Sequence, residues 1–171
     1  QTIQKSVKIT GDGVENEKTF ALTELEAMKD DEHKWVEARL YSSINTWPTK
    51  KWYAAEGVKL AKLLEEAGIK DEAQLITVKS ADGYKMTFTK KQLLDDKRYY
   101  FLGLKENHEY FGQIPGSTDQ KVLVDTILAL RSVDSDNLDE ITDENAPRLI
   151  FGQRWVTEQT NQAFAKYVSE I

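Results

Sequence analysis

Tyr41-Ser42-Ser43-Ile44-Asn45-Thr46-Trp47 sets two hydroxyls and a carboxamide close together, and Lys50-Lys51-Trp52-Tyr53 follows with two cations and an aromatic pair. Hydroxyls can serve as nucleophiles or hard metal ligands, and clustered ammonium groups attract anions. Each residue also has an ordinary structural use. Serines at a strand end satisfy backbone groups, asparagine turns the chain, and tryptophan and tyrosine pack. A serine hydrolase would further need a base held against the hydroxyl. No motif fixes His33 or His108 beside Ser42, so that reading has no nameable base.

Other chemistries are narrowed by what the sequence lacks. It contains no cysteine, which excludes disulfides, thiolate metal sites and cysteine nucleophiles. His33 and His108 lie too far apart to suggest the ligand spacing of a structural zinc site. Neither a dinucleotide-binding nor a phosphate-loop glycine pattern occurs, and Gly11-Asp12-Gly13 is too short for a phosphate cradle. Asp134-Ser135-Asp136-Asn137-Leu138-Asp139 opens like a calcium loop but carries Asp139 where the sharp turn calls for glycine. The formal net charge is −6, and the cations are scattered apart from Lys50-Lys51 and Lys90-Lys91, so no nucleic-acid partner is expected. No segment approaches the roughly 18–20 apolar residues of a membrane-spanning helix.

The elements that must position these residues can be read from local pattern. Residues 5–10 and 17–22 predict two strands around the Gly11-Asp12-Gly13 turn. Thr23 and Glu26 have capping-box spacing and predict a short helix with Leu22, Leu25 and Met28 inward. In 35–41, Val36, Ala38 and Leu40 alternate with Glu37 and Arg39, a strand that delivers the chain into the serines. Leu60, Leu63, Leu64 and Ala67 have helical spacing, with Gly68 as the cap. Residues 75–88 read as two strands across Ala81-Asp82-Gly83, and Thr89 with Gln92 repeats the capping box before Leu93 and Leu94.

Residues 103–120, broken by Gly112, Pro115 and Gly116, predict a long surface loop. Strands are expected at 127–131, 148–151 and 165–171, with one helical turn inside the acidic segment 134–147. Strands and short helices interleave without a regular βαβ rhythm, which predicts an α+β fold: a mixed β-sheet domain with short interleaved helices. The 171 residues, 40% hydrophobic and 30% charged, suit one domain spanning 1–171. The opening has no apolar signal region and starts abruptly on strand-like sequence, which suits a domain excised from a larger chain.

Several segments, in order, resemble the sulfite-oxidase-like molybdopterin-binding oxidoreductases. VKITGDGVENEKTFALTELEAM is similar to that family's entry, I-x-G-x-V followed by DL-x-x-L. LYSSIN stands where the family has a strand and a Cys-Ala-Gly-Asn-like turn, and WYAAEGVKLAKLLEEAG resembles its W-x-GV-x-L-x-x-LLE-x-AG helix. SADGYKMTFT is similar to its S-x-D-GY strand pair, ILAL to its LLAY strand, and RLIFGQRWV with AKYVSEI to its closing RLVVPG and VKWL-x-x-I pattern.

The resemblance implies a sulfite-oxidase molybdopterin-domain-like fold and a molybdopterin cofactor. It places Ser42 at the molybdenum-bound cysteine, as metal ligand and catalytic residue, and Tyr84 at the catalytic pocket tyrosine facing an oxo-anion. Asn45 matches the pterin-holding asparagine, and Lys166 and Arg154 lie at the cofactor phosphate. Lys50 and Lys51 replace the family's Arg-rich continuation, although lysine does not reproduce an arginine fork. The family's early Phe-x-Arg…His segment has no counterpart before Val7.

A serine hydroxyl is a far weaker acid and a harder ligand than a thiol. Serinate does ligate molybdenum in another cofactor family on an unrelated fold. Two readings follow. One is a molybdopterin-dependent oxidoreductase with Ser42, or no protein atom, on the metal. The other is a degenerate relative, a non-catalytic ligand- or protein-binding module of a larger cell-surface or periplasmic protein. Its expected partners are a small anionic ligand or pterin and other domains of that chain, in an extracytoplasmic location.

Overall fold

The computed structural model describes residues 6–44, 50–101, 121–144, 146–154, 158, 160 and 163–171, with the side chains of Ile44 and Lys50 outside the description. The chain opens with β1 (Ser6–Ile9) and β2 (Lys18–Ala21), the two strands expected around the first glycine turn. Helix α1 (Leu22–Ala27) follows without a break. The expected Thr23–Glu26 cap is not the one formed. Ala21 is the N-cap, and the Glu24 carboxylate reaches back to accept its N–H at 2.9 Å. Glu26 instead meets Arg131 at 2.7 Å, while the Arg131 Nε meets Glu56 at 2.6 Å. Leu25 is buried, and Leu22 and Met28 pack at the core edge as expected.

Next comes β3 (Trp35–Ile44), which pairs antiparallel with β4 (Lys50–Lys59). Two sequence expectations change here. The strand continues through Ser42 and Ser43, so both serines belong to the sheet and not to a loop beyond it. A register shift between Val36 and Arg39 also breaks the alternation, so Tyr41 is fully buried while Leu40 is half-buried. An extra residue in one strand exchanges which side chains face inward from that point on.

β4 was not expected as a strand. Lys50, Lys51, Trp52 and Tyr53 lie on it, opposite Ile44, Ser43, Ser42 and Tyr41. The helix anticipated downstream is α2 (Leu60–Glu66), with Leu60, Leu63 and Leu64 buried. Gly68 closes it with φ +76°, a conformation in which glycine carries no Cβ penalty.

β5 (Leu75–Ser80) and β6 (Lys85–Thr89) form the predicted hairpin. The cap after it is reciprocal: the Gln92 carboxamide accepts Thr89 N–H at 2.9 Å, and the Thr89 hydroxyl accepts Gln92 N–H at 3.0 Å. It opens a π-helical turn, Lys91–Asp95. β7 (Arg98–Phe101) and β8 (Lys121–Val124), which no local pattern suggested, form a separate antiparallel pair. The loop expected at 103–120 lies outside the described residues. β9 (Ile127–Val133), a 3-10 turn at Leu138–Glu140, β10 (Arg148–Ile150) and β11 (Val168–Glu170) complete the described chain where the sequence suggested them.

The architecture is mixed α+β, mostly sheet with short helices. One sheet has the order β2-β1-β11-β5-β6 and another β10-β9-β4-β3. β11 lies parallel to β1, the rest of these pairings being antiparallel. Edge-to-face aromatic contacts tie the sheets together: Phe88 of β6 to Phe151 at 5.8 Å, Phe151 to Phe164 at 5.0 Å, and Phe164 to Tyr53 of β4 at 5.1 Å. No helix among the described residues is long and apolar enough to cross a membrane.

Candidate functional site

The end of β3 meets the segment after β10 through buried hydroxyls. Ser42, fully enclosed, donates from Oγ to Gln153 Oε1 at 2.6 Å and accepts the Phe101 N–H at 3.0 Å. Gln153, also fully enclosed, donates from Nε2 to the carbonyl of Glu158 at 3.0 Å, and its backbone pairs both ways with Tyr99. Ser43 Oγ lies 2.7 Å from Thr160 Oγ1 and accepts the Thr160 N–H at 3.2 Å. The two serines therefore tie Gln153 and Thr160 to the sheet.

Gly152 permits the close approach that makes this possible. A Cβ there would meet the Tyr99 oxygen at 2.7 Å and nitrogen at 2.9 Å, backbone atoms that cannot swing aside.

An ionic group lies beside the hydroxyls. Arg98, 4% exposed, donates from Nε and Nη2 to the Gln92 carbonyl at 3.0 and 2.6 Å. Its Nη1 reaches the Gly152 carbonyl at 3.0 Å and Glu158 Oε1 at 3.2 Å, and its guanidinium stands 4.6 Å from the centre of the Phe151 ring. Loss of water around Arg98 pulls its pKa down, against the nearby Glu158. Arg154 forms a fork on Glu158 Oε2, with Nε at 2.8 Å and Nη2 at 2.6 Å, and its Nη1 meets Asp96 at 3.0 Å. Lys91 holds the other Asp96 oxygen. Hydrogen bonding to Glu158 raises the Arg154 pKa, while Lys91 and then Arg154 hold the Asp96 carboxyl below the usual carboxylate range.

The residues singled out in the sequence divide into groups. Ser42 and Arg154 are neighbours through Gln153 and Glu158. Lys51 is exposed on β4, opposite Ser43; the backbone of Lys50 is on the same strand, and Asn45 lies outside the described residues. Tyr84, and Tyr167 next to Lys166, each bond the end of β5 at the hairpin end of the five-stranded sheet. There Ser80 N–H bonds the Tyr84 carbonyl at 2.8 Å and Ala81 N–H bonds the Tyr167 carbonyl at 2.9 Å. Tyr84 is 43% exposed and Lys166 is exposed. Arg98, Gln153, Glu158 and Thr160 were missed, because no spacing or motif marks them.

Molybdopterin would ask Ser42 for a metal bond and Arg154 for a phosphate contact. Ser42 would have to give up the proton that it shares with Gln153, leaving its oxyanion against the Oε1 acceptor. Turning the Gln153 carboxamide over would relieve that contact but set its oxygen against the Glu158 carbonyl. Arg154 would have to exchange Glu158 for the phosphate. In this arrangement Ser42 does not fit the cofactor. Among the described residues no group of three or more His, Cys, Asp or Glu is placed to hold a metal ion. In the calcium-like segment, Asp134 pairs with Arg148 and Asn137 caps the 3-10 turn through Asp139 N–H at 3.0 Å.

Comparison of the chain with protein families, with curated proteins and with solved structures found no match.

Proposed function

We propose that this chain is a domain of the sulfite-oxidase-like fold family in which the metal-ligand position has become a structural strut. In this reading it works without redox turnover, as a ligand- or protein-binding module of a larger extracytoplasmic protein. The observation that carries the reading is the commitment of Ser42: its proton goes to Gln153, and it accepts the Phe101 N–H, with no exposed surface. A hydroxyl so held contributes to folding through satisfied buried polar groups. Metal coordination would first have to dismantle that arrangement.

Support for the fold comes from the ordered sequence segments together with the mixed α+β architecture. The segments that carry the resemblance run in the family's order along the sequence; of the one likened to its helix, Leu60–Glu66 is helical and Trp52–Lys59 belongs to β4. The test is elemental analysis and pterin fluorescence on the protein purified from cells supplied with molybdate. The expected result is neither molybdenum nor pterin. One molybdenum and one pterin per chain, lost together on Ser42→Ala in a folded variant, would overturn the reading.

A further inference from the structure

Glu158 occupies the kind of place a free anion would occupy. Its Oε1 accepts the backbone N–H of Arg154 at 2.7 Å and Nη1 of Arg98 at 3.2 Å. Its Oε2 accepts Nε and Nη2 of Arg154 at 2.8 and 2.6 Å. A main-chain N–H and two guanidinium groups converging on two oxygens are the donors that recognise phosphate and related oxyanions.

The charges make the position one that demands an anion. Arg98 is 4% exposed, and its other described hydrogen bonds go to the neutral carbonyls of Gln92 and Gly152. Glu158 is the carboxylate to which it is ion-paired. Asp96 stands nearby but is held by Lys91 and Arg154. Without Glu158, three cations would face Asp96 alone, and the buried Arg98 charge would lack its direct partner. An uncompensated charge in such a place is strongly unfavourable, so the site draws in whatever anion can reach it.

Access exists from one side. The Glu158 side chain is 20% exposed and that of Arg154 40% exposed, while Arg98 closes the inner wall. We propose that Arg98, the Arg154 guanidinium and the Arg154 N–H form a binding site for a small oxyanion, a phosphate or sulfonate group. Glu158 fills that site from within until such an anion displaces it. The tethered carboxylate competes at high effective concentration, so the site is closed to weak anions. A phosphate dianion carries more charge and more acceptor oxygens than the carboxylate it replaces, which favours exchange. The inference rests on the contacts of Glu158 and not on the fold-family reading, which sets Arg154 but not Arg98 at a phosphate.

The test is calorimetric titration with inorganic phosphate at constant ionic strength, chloride making up the balance. Glu158→Gln keeps the side-chain volume and removes the internal anion. It is expected to bind phosphate about tenfold more tightly than the parent, as loss of a competing charge allows. Adding Arg154→Ala should abolish the gain. Equal affinity in the parent and a folded Glu158→Gln, or a gain that survives Arg154→Ala, overturns the proposal.

If Glu158→Gln does not fold, thermal melting of the parent decides. Phosphate should raise its melting temperature more than that of Arg154→Ala, the comparison removing the general stabilisation that phosphate gives any protein. Equal shifts in the two proteins overturn the proposal.

Discussion

Ser42 and Gln153 stand 111 residues apart in the chain and share a 2.6 Å hydrogen bond with no solvent contact, the hydroxyl donating to the carboxamide. That bond joins the edge strand β3 to the segment after β10, next to the pair formed by Tyr99 and Gln153. Ser42→Ala removes the two buried hydrogen bonds that the hydroxyl makes, to the Gln153 oxygen and from the Phe101 N–H. Losing two such bonds costs about 1–3 kcal/mol. Urea unfolding should show a free energy lower by that amount, as a lower midpoint with an unchanged slope. A neutral substitution would remove Ser42 from its role as a strut.

Arg98 and Arg154 bind the same carboxylate but differ in surroundings, 4% against 40% side-chain exposure. Truncating the buried one leaves Glu158 short of a cation and takes donors from the Gln92 and Gly152 carbonyls. Glu158 keeps its Arg154 fork, so Arg98→Ala should lower stability by about 1–3 kcal/mol, the cost of taking a charged donor from buried acceptors. Arg154→Ala, at the water boundary, should cost about 1 kcal/mol or less. Denaturant midpoints measured side by side check the order, and a larger loss at Arg154 would contradict it.

These two residues also mark what the sequence could reveal. Helix α2 was legible because Leu60, Leu63 and Leu64 repeat at helical spacing and Gly68 ends the run. The β5–β6 hairpin was legible from its turn. β4 was not, since a central strand is covered on both faces and Tyr53, Ala54 and Ala55 are buried in succession, without alternation. The bulge in β3 hid which residues face inward. Ser42 drew attention by its position in the resemblance, but its partners could not be read. Gln153 and Phe101 reach it only through the fold, as does Glu158 its position against Arg98 across 60 residues.

Lys91, with Arg154, keeps the Asp96 carboxyl below the ordinary aspartate pKa. The folded value lies below the unfolded one, so this contribution is present above about pH 4 and fades as pH falls through the folded value. Melting temperatures of the parent and Asp96→Asn should thus differ at neutral pH and converge on acidification. Added salt at neutral pH should narrow the same gap by screening Lys91 and Arg154. A gap that stays constant from neutral pH to below about pH 3 would show that Asp96 does not act through its charge.

Tyr41 offers the opposite sign. It is fully buried, and its hydroxyl finds no hydrogen-bond partner among the described residues. Burial pushes the phenol well above its ordinary value. Unfolded tyrosine ionises near pH 10, whereas the folded side chain keeps its proton, so the parent should lose stability as pH rises past that point. Tyr41→Phe removes both effects at once. At neutral pH it should gain about 1–2 kcal/mol by deleting an unmet polar group while keeping the ring. Above about pH 10 its advantage should widen, because the mutant has no phenol to ionise there. Urea midpoints at the two pH values test both parts. A loss of stability in Tyr41→Phe at neutral pH would mean that the hydroxyl is satisfied in solution, and the alkaline limb would then have to come from other groups.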